Sequence, residues 1–172
     1  ECMALALKLS QFGRKAVGAN PMVGCVISRD DKIIAQDYHC TYGKAHAEIN
    51  ALEKINYKAE NTIVYITLEP CSHFGKTPPC TEALIKAKVN KVFVAMLDPN
   101  PLVSGRGVKA LQDSGIEVEV GLLEKEAQEI NRGFIKRMKS GLPFVTSKIA
   151  MSLDGRTAMK NGESKWITSE AS

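Results

Sequence analysis

Apolar side chains fall at Cys2, Leu5, Ala6 and Leu9 near the start of the chain, a spacing that gathers them on one face of a helix. The period then shortens. "PMVGCVIS" (21–28) and "DKIIAQDYH" (31–39) are short apolar stretches divided by Arg29, Asp30 and Asp31, which predicts two strands joined as a hairpin. Ala47, Ile49, Ala51, Leu52 and Ile55 return to a largely helical spacing, and "NTIVYITLE" (61–69) is β-branched and strand-like. In "PCTEALIKAK" (79–88), Pro79 stands where a first helical turn tolerates it, so a helix is expected to follow. The order then repeats as strand (91–96), loop (97–107), helix (108–115), strand (116–121) and one long helix (124–139). Alternation of this kind predicts an α/β fold with helices on both faces of a sheet. Ligands of such sheets lie in loops beyond the carboxyl ends of the strands, here the loops after "YIT" and "FVAM".

A chain of 172 residues can build one full core and not two. "SGLP" (140–143) interrupts the last helix, and the pattern after it changes to strand, turn and a helix start at Thr168 or Ser169 with no helix behind it. About thirty residues cannot form a core alone. The reading is therefore a domain over 1–140 followed by the incomplete opening of a second over 141–172.

Composition narrows the classes. Apolar residues at 44% and charged residues at 24% describe a globular protein. The net charge of +4 contains no run of Lys and Arg dense enough for a nucleic-acid groove, so no nucleic-acid partner is expected; the charge fits an anionic small molecule as well as anything larger. No apolar run reaches the ~20 residues of a membrane span, and the first residues lack the basic start and cleavage site of a signal peptide, so a cytoplasmic protein is expected. In a reducing compartment the odd set Cys2, Cys25, Cys40, Cys71 and Cys80 argues for metal binding or burial over disulfides.

The chemistry concentrates in "HAE" (46–48) and "PCSHFGKTPPC" (70–80). His-x-Glu, then Pro-Cys, then a further Cys is close to the signature of zinc deaminases acting on nucleobases. Catalytic zinc takes three nitrogen or sulfur ligands and keeps a fourth position for water, so His46, Cys71 and Cys80 are the candidate ligands. Glu48 is the candidate proton carrier between that water and a departing amine. Residues two apart on a regular helix face different ways, so the assignment requires His46 to lie in a loosely wound first turn. A structural zinc site would instead show a fourth protein ligand, from His73 or His39. The two cysteines are eight residues apart where the short signature has two, and the insert carries Ser72, His73, Lys76 and Thr77, a set able to hold an anion. Lys76 is a compact charge suited to phosphate.

With "ANPMVGCVI" (19–27), "HAEINAL" (46–52), "LEPCSHFGKTPPC" (68–80) and "DPNPLVSGRG" (98–107), the chain resembles, over about residues 1–140, the deaminase domain of the bifunctional riboflavin-biosynthesis deaminase-reductases. "SKIAMSLDGRTAMKNGESKWITS" (147–169) resembles the start of that family's dihydrofolate-reductase-like reductase domain. The resemblance implies a cytidine-deaminase-like three-layer α/β/α sandwich with a mixed central sheet. It implies zinc-dependent removal of the 2-amino group from 2,5-diamino-6-ribosylamino-4(3H)-pyrimidinone 5′-phosphate, with Asn20, His39, Lys76, Asp98 and Asn100 as substrate contacts. For the reductase portion it implies Ala150 and Trp166 near NADPH and Ser164 near the phosphorylated substrate. Asn20 and Asn100 each precede a proline and are equally suited to turns. Asp37 stands where the family usually has glycine, two residues before His39, which puts the geometry of His39 in question.

Two other readings compete. A deaminase of nucleosides or transfer RNA bases is disfavoured by the long insert and by an aromatic content of only 6% for base stacking. A structural zinc module predicts the fourth ligand. An exposed sheet edge and the helix over 124–139 predict self-association as a homo-oligomer.

Overall fold

A computed structural model describes residues 1–75, 78–101 and 103–164. The chain runs α1 (Cys2–Ser10), a single 3₁₀ turn (Gln11–Lys15), β1 (Gly24–Arg29), β2 (Lys32–Tyr38) and α2 (Ala47–Glu53). It continues through β3 (Ile63–Ile66), α3 (Cys80–Lys86), β4 (Lys91–Val94), α4 (Arg106–Asp113), β5 (Glu117–Val120), α5 (Glu124–Ile130) and α6 (Arg132–Ser140). The expected α/β class and the mixed sheet are both present.

The five strands lie in the order β2-β1-β3-β4-β5. β1 pairs antiparallel with both β2 and β3, while β3, β4 and β5 run parallel. Asp30 and Asp31 turn the hairpin with φ of 47° and 59°, the left-handed pair that matches the twist of two-residue hairpins. Gly24, Cys25, Val26, Ile27 and Ser28 of β1 are all buried although alternate residues face opposite sides, so both faces of that strand are covered.

This topology delivers four segments to one edge of the sheet. β3 and β4 are parallel, so the loops after Ile66 and Val94 leave side by side. β1 is antiparallel to β3, which sets the residues before Gly24 at the same edge, with the Gly24 N–H on Thr67 Oγ1 at 3.1 Å. β2 in turn ends there, because Tyr38 pairs with Gly24. Residues 19–23, 39–46, 67–75 with 78–80, and 95–101 with 103–107 therefore meet where the sequence places its unusual side chains.

Two expectations fail. The long helix over 124–139 is divided at Asn131, whose backbone (φ −105°, ψ 17°) leaves helical geometry. The cause is remote in sequence: the buried Asn131 amide accepts from the Met22 N–H (2.8 Å) and donates to the Met22 carbonyl (3.0 Å), as a neighbouring strand would. The expected strand after Pro143 is also missing, since among the described residues of 141–164 no strand forms and most side chains are exposed. A strand needs a hydrogen-bonding neighbour, and local β propensity cannot supply one. Helix α6 ends as expected at "SGLP", with Gly141 in the left-handed conformation (φ 71°). The helix start expected at Thr168 or Ser169 lies outside the described residues.

Replacing Asn131 with alanine strands both backbone groups of Met22. Asn131→Ala should lower unfolding free energy by about 1–3 kcal/mol in a urea titration; an unchanged midpoint would show that water serves Met22 equally well.

Candidate active site

His46 caps α2 from outside, with extended backbone (φ −75°, ψ 167°), and Glu48 lies in the first turn. This removes the geometric difficulty of two residues spaced two apart. His46 is not in the helix, so its ring is free to turn back towards the loop after β3. There Nδ1 lies 3.2 Å from Cys80 Sγ and 3.6 Å from Cys71 Sγ. Cys80 opens α3, and its N–H donates to Cys71 Sγ at 3.3 Å.

The donor set fits tetrahedral zinc. Zinc bonds of ~2.3 Å to sulfur and ~2.05 Å to nitrogen place adjacent ligand atoms ~3.6 Å apart across a tetrahedral angle, near the two nitrogen–sulfur separations found. The three ligand atoms all lie within 4.8 Å of one another, and among the described residues no fourth His, Cys, Asp or Glu joins the group. His73 and His39, the expected fourth ligands of a closed structural site, stay outside it. The Cys71 thiol is held well below its ordinary range by the Cys80 thiol that donates to it, and further by His46 and the Cys80 N–H. The Cys80 thiol is displaced upward, by the same hydrogen bond and by burial.

Glu48 is 3% exposed, and that burial pushes its carboxyl up to about 6. It shares a cavity of about 310 Å³ with His46 and Cys71, within the size range of small-molecule sites. Asn20, His39, His73 and Asp98 also line the cavity, each from a different one of the four segments at the sheet edge; His46 shares a segment with His39, and Cys71 with His73. His39 is buried, its Nδ1 3.0 Å from the Ala45 carbonyl and its ring edge-on to His46 at 5.4 Å. Its Nε2 is buried without a hydrogen-bond partner, a group left for something bound in the cavity. Burial also lowers the pKa of this imidazole.

Asp37 does not disturb this arrangement. It is an ordinary residue of β2 with negative φ, and its carboxylate is occupied by Lys54 Nζ at 2.9 Å and by the Tyr38 N–H at 2.8 Å. The backbone freedom of glycine is not needed there. Asn100 does not line the cavity; its carbonyl accepts from Val103 (3.0 Å) and Ser104 (2.9 Å), the turn that its position before Pro101 suggests. Asp98 does line it, while its carboxylate accepts the Asn100 N–H at 2.8 Å. Burial raises the pKa of Asp98. Lys76, Thr77 and Trp166 lie outside the described residues. Ala150 and Ser164 are exposed and not part of the cavity, with Ser164 Oγ donating to the Thr157 carbonyl at 2.9 Å.

Several lining residues carry no local signal. Tyr42 and Lys44 sit in a polar loop that reads as a connector, and Phe134 occupies what reads as a core position of a helix. Glu69 is the least foreseeable. It is 6% exposed, between β3 and Cys71, and its carboxylate accepts backbone N–H groups of Asp98 (3.1 Å), Gly105 (2.9 Å), Gly107 (2.8 Å) and Val108 (3.3 Å). A buried acid at a strand end would be found by asking which backbone donors lack a partner, and that question requires the fold.

The family described as the cytidine and deoxycytidylate deaminase zinc-binding region matches residues 1–96, and the RibD C-terminal domain matches residues 143–172. The riboflavin biosynthesis protein RibD of Escherichia coli is 53% identical over 167 residues, covering 97% of this chain and 46% of that protein. A diaminohydroxyphosphoribosylamino-pyrimidine deaminase of Buchnera aphidicola (subsp. Schizaphis graminum) is 52% identical over 141 residues, covering 82% of this chain and 96% of its own. A crystal structure from Thermotoga maritima, described as a diaminohydroxyphosphoribosylaminopyrimidine deaminase/5-amino-6-(5-phosphoribosylamino)uracil reductase, superposes with a TM-score of 0.93. It is 42% identical and covers 98% of this chain and 49% of that one. The chain spans about half the length of the curated RibD relatives it matches. No helix among the described residues is long and apolar enough to cross a membrane.

Proposed function

The chain belongs to the RibD family of riboflavin-biosynthesis enzymes, and from that premise we propose that residues 1–140 are a zinc-dependent deaminase. Its reaction is hydrolytic conversion of 2,5-diamino-6-ribosylamino-4(3H)-pyrimidinone 5′-phosphate to 5-amino-6-ribosylaminouracil 5′-phosphate and ammonia. The observation that carries the reading is the convergence of His46 Nδ1 and the sulfurs of Cys71 and Cys80 beside buried Glu48, with no fourth protein ligand among the described residues. His46, Cys71 and Cys80 hold the zinc, which supplies Lewis acidity and draws the pKa of a bound water towards ~7.

The remaining work falls to the protein. Glu48 takes a proton from the attacking water as its oxygen adds to ring carbon C2, and delivers a proton to the 2-amino group as the C–N bond breaks. Burial suits it to this task, because it brings the carboxyl towards the pH at which a group both accepts and releases protons. His39 Nε2, Asn20 and Asp98 face the cavity and read the ring and ribose edges, and Lys76 with His73 from the insert meets the phosphate. Asn100 keeps its place in the proposal as a contact of the ribosyl side, approached from the turn it forms.

Residues 141–172 open a reductase domain in this proposal, with NADPH as its cofactor, Ala150 and Trp166 near that cofactor and Ser164 near the phosphorylated substrate. The match of residues 143–172 to the RibD C-terminal domain supports it. We place the protein in the cytoplasm and include self-association, with β5 as an edge strand of the sheet.

The decisive experiment combines metal analysis with ammonia release. One zinc per chain and steady ammonia production from the phosphorylated diaminopyrimidinone, with a much higher KM for its dephosphorylated form, is the expected result. Full zinc occupancy without ammonia release would overturn the assignment.

A further inference from the structure

We propose that Glu69 is a positioning residue of this site, the latch that fixes the loop bearing Asp98 against the segment bearing Cys71; the inference rests on the deaminase reading of the cavity. Glu69 stands two residues before Cys71, at the end of β3. Its carboxylate spans the gap to the segment after β4, binding it at Asp98 in the loop, at Gly105 just before α4, and in the first turn of α4. Oε2 accepts from Asp98 and Gly105, and Oε1 from Gly107 and Val108.

This use of the acid leaves it no other role. A carboxylate offers about four lone-pair sites, and four N–H donors occupy them. Glu69 lines the cavity, yet it is not available to move a proton or to bind a substrate amine. Its effect on substrate must pass through what it holds. That is the backbone of Asp98, a cavity-lining residue, and that of Gly105, which follows the Val103 and Ser104 N–H bonds to the Asn100 carbonyl.

The contact around the latch is tight enough to transmit position. A Cβ added to Gly107 would stand 2.0 Å from the Pro70 carbonyl oxygen and 3.2 Å from the Glu69 side chain. The first turn of α4 is thus pressed against the peptide adjoining Cys71, with no slack for a methyl group. Backbone bonds reinforce the join, with the Glu69 N–H on the Met96 carbonyl at 3.0 Å and the Ala95 N–H on the Ile66 carbonyl at 2.9 Å. The distance from the metal side of the cavity to its Asp98 side is set through Glu69.

The test uses Glu69→Gln in the full protein. An amide nitrogen cannot accept, so half of the latch loses its acceptor and meets N–H groups instead. The expected result is a KM for the diaminopyrimidinone phosphate raised tenfold or more, with kcat within about threefold and zinc still at one per chain. Amide exchange at residues 98, 105, 107 and 108 should quicken at least tenfold, while amides in β3 stay protected. An unchanged KM, or a loss confined to kcat, would overturn the positioning role. Should the variant fail to fold, exchange in the unaltered protein decides: protection of Gly107 and Val108 beyond that of the exposed α5 amides supports the latch, and free exchange refutes it. If the unaltered protein releases no ammonia, the deaminase reading falls, and the exchange measurement still judges the latch by itself.

Discussion

Glu48→Gln should leave zinc bound and the sheet intact while ammonia release falls by about 10²-fold or more. Glutamine matches the shape and keeps the side chain polar in its buried place, but it neither takes a proton from water nor passes one on. The three ligand atoms belong to other residues, so metal content should stay at one per chain. A turnover within threefold of the parent would show that the proton travels by another group and that Glu48 is only a buried acid. Loss of zinc would show instead that it serves the metal.

A second large effect is expected at Cys80. Cys80→Ser exchanges a soft thiolate for a hard hydroxyl that does not ionise near neutral pH, leaving His46 and Cys71 as a two-ligand site. Zinc should drop well below one per chain, and activity should fall at least as far as in Glu48→Gln. The fold should persist, because serine is close in size to cysteine and its hydroxyl lies at the first position of α3, where hydroxyls are tolerated. Circular dichroism and metal analysis on the same sample separate the outcomes. An unfolded variant with no zinc would assign a structural role to the metal; a folded variant without zinc or activity is the expected case. Retained zinc and activity would remove Cys80 from the ligand set.

The candidate metal residues are legible in sequence because the chemistry restricts the alphabet. Only a few side chains bind zinc and one kind moves the proton, so His46, Glu48, Cys71 and Cys80 stand out against any background. The strands and helices are legible for a related reason, since β1 is a continuous buried run and α2 buries Ala47, Ala51 and Leu52 at helical spacing. What the chain conceals is long-range backbone bonding. Asn131 reads as one polar residue on a helix until its partner, Met22, is found 109 positions away. Glu69 reads as a charged residue at a strand end, whereas its partners lie 29 to 39 positions later. The residues after Pro143 have the composition of a strand without a neighbour to pair with among those described. Asp37 shows the opposite case, where a departure from a family pattern suggests a difficulty that the extended backbone of β2 does not have.

Helix α6 has a practical consequence for anyone dividing this protein. Phe134 supplies a wall of the cavity, and the Arg137 guanidinium grips the Ala19 carbonyl at 2.7 Å, next to Asn20. A fragment trimmed after Ile130 would retain β1 to β5 with His46, Cys71 and Cys80, yet its cleft would be open on one flank and its 19–22 segment untethered. The smallest useful excision ends at Ser140, one full helix later than an inspection of the sheet would recommend.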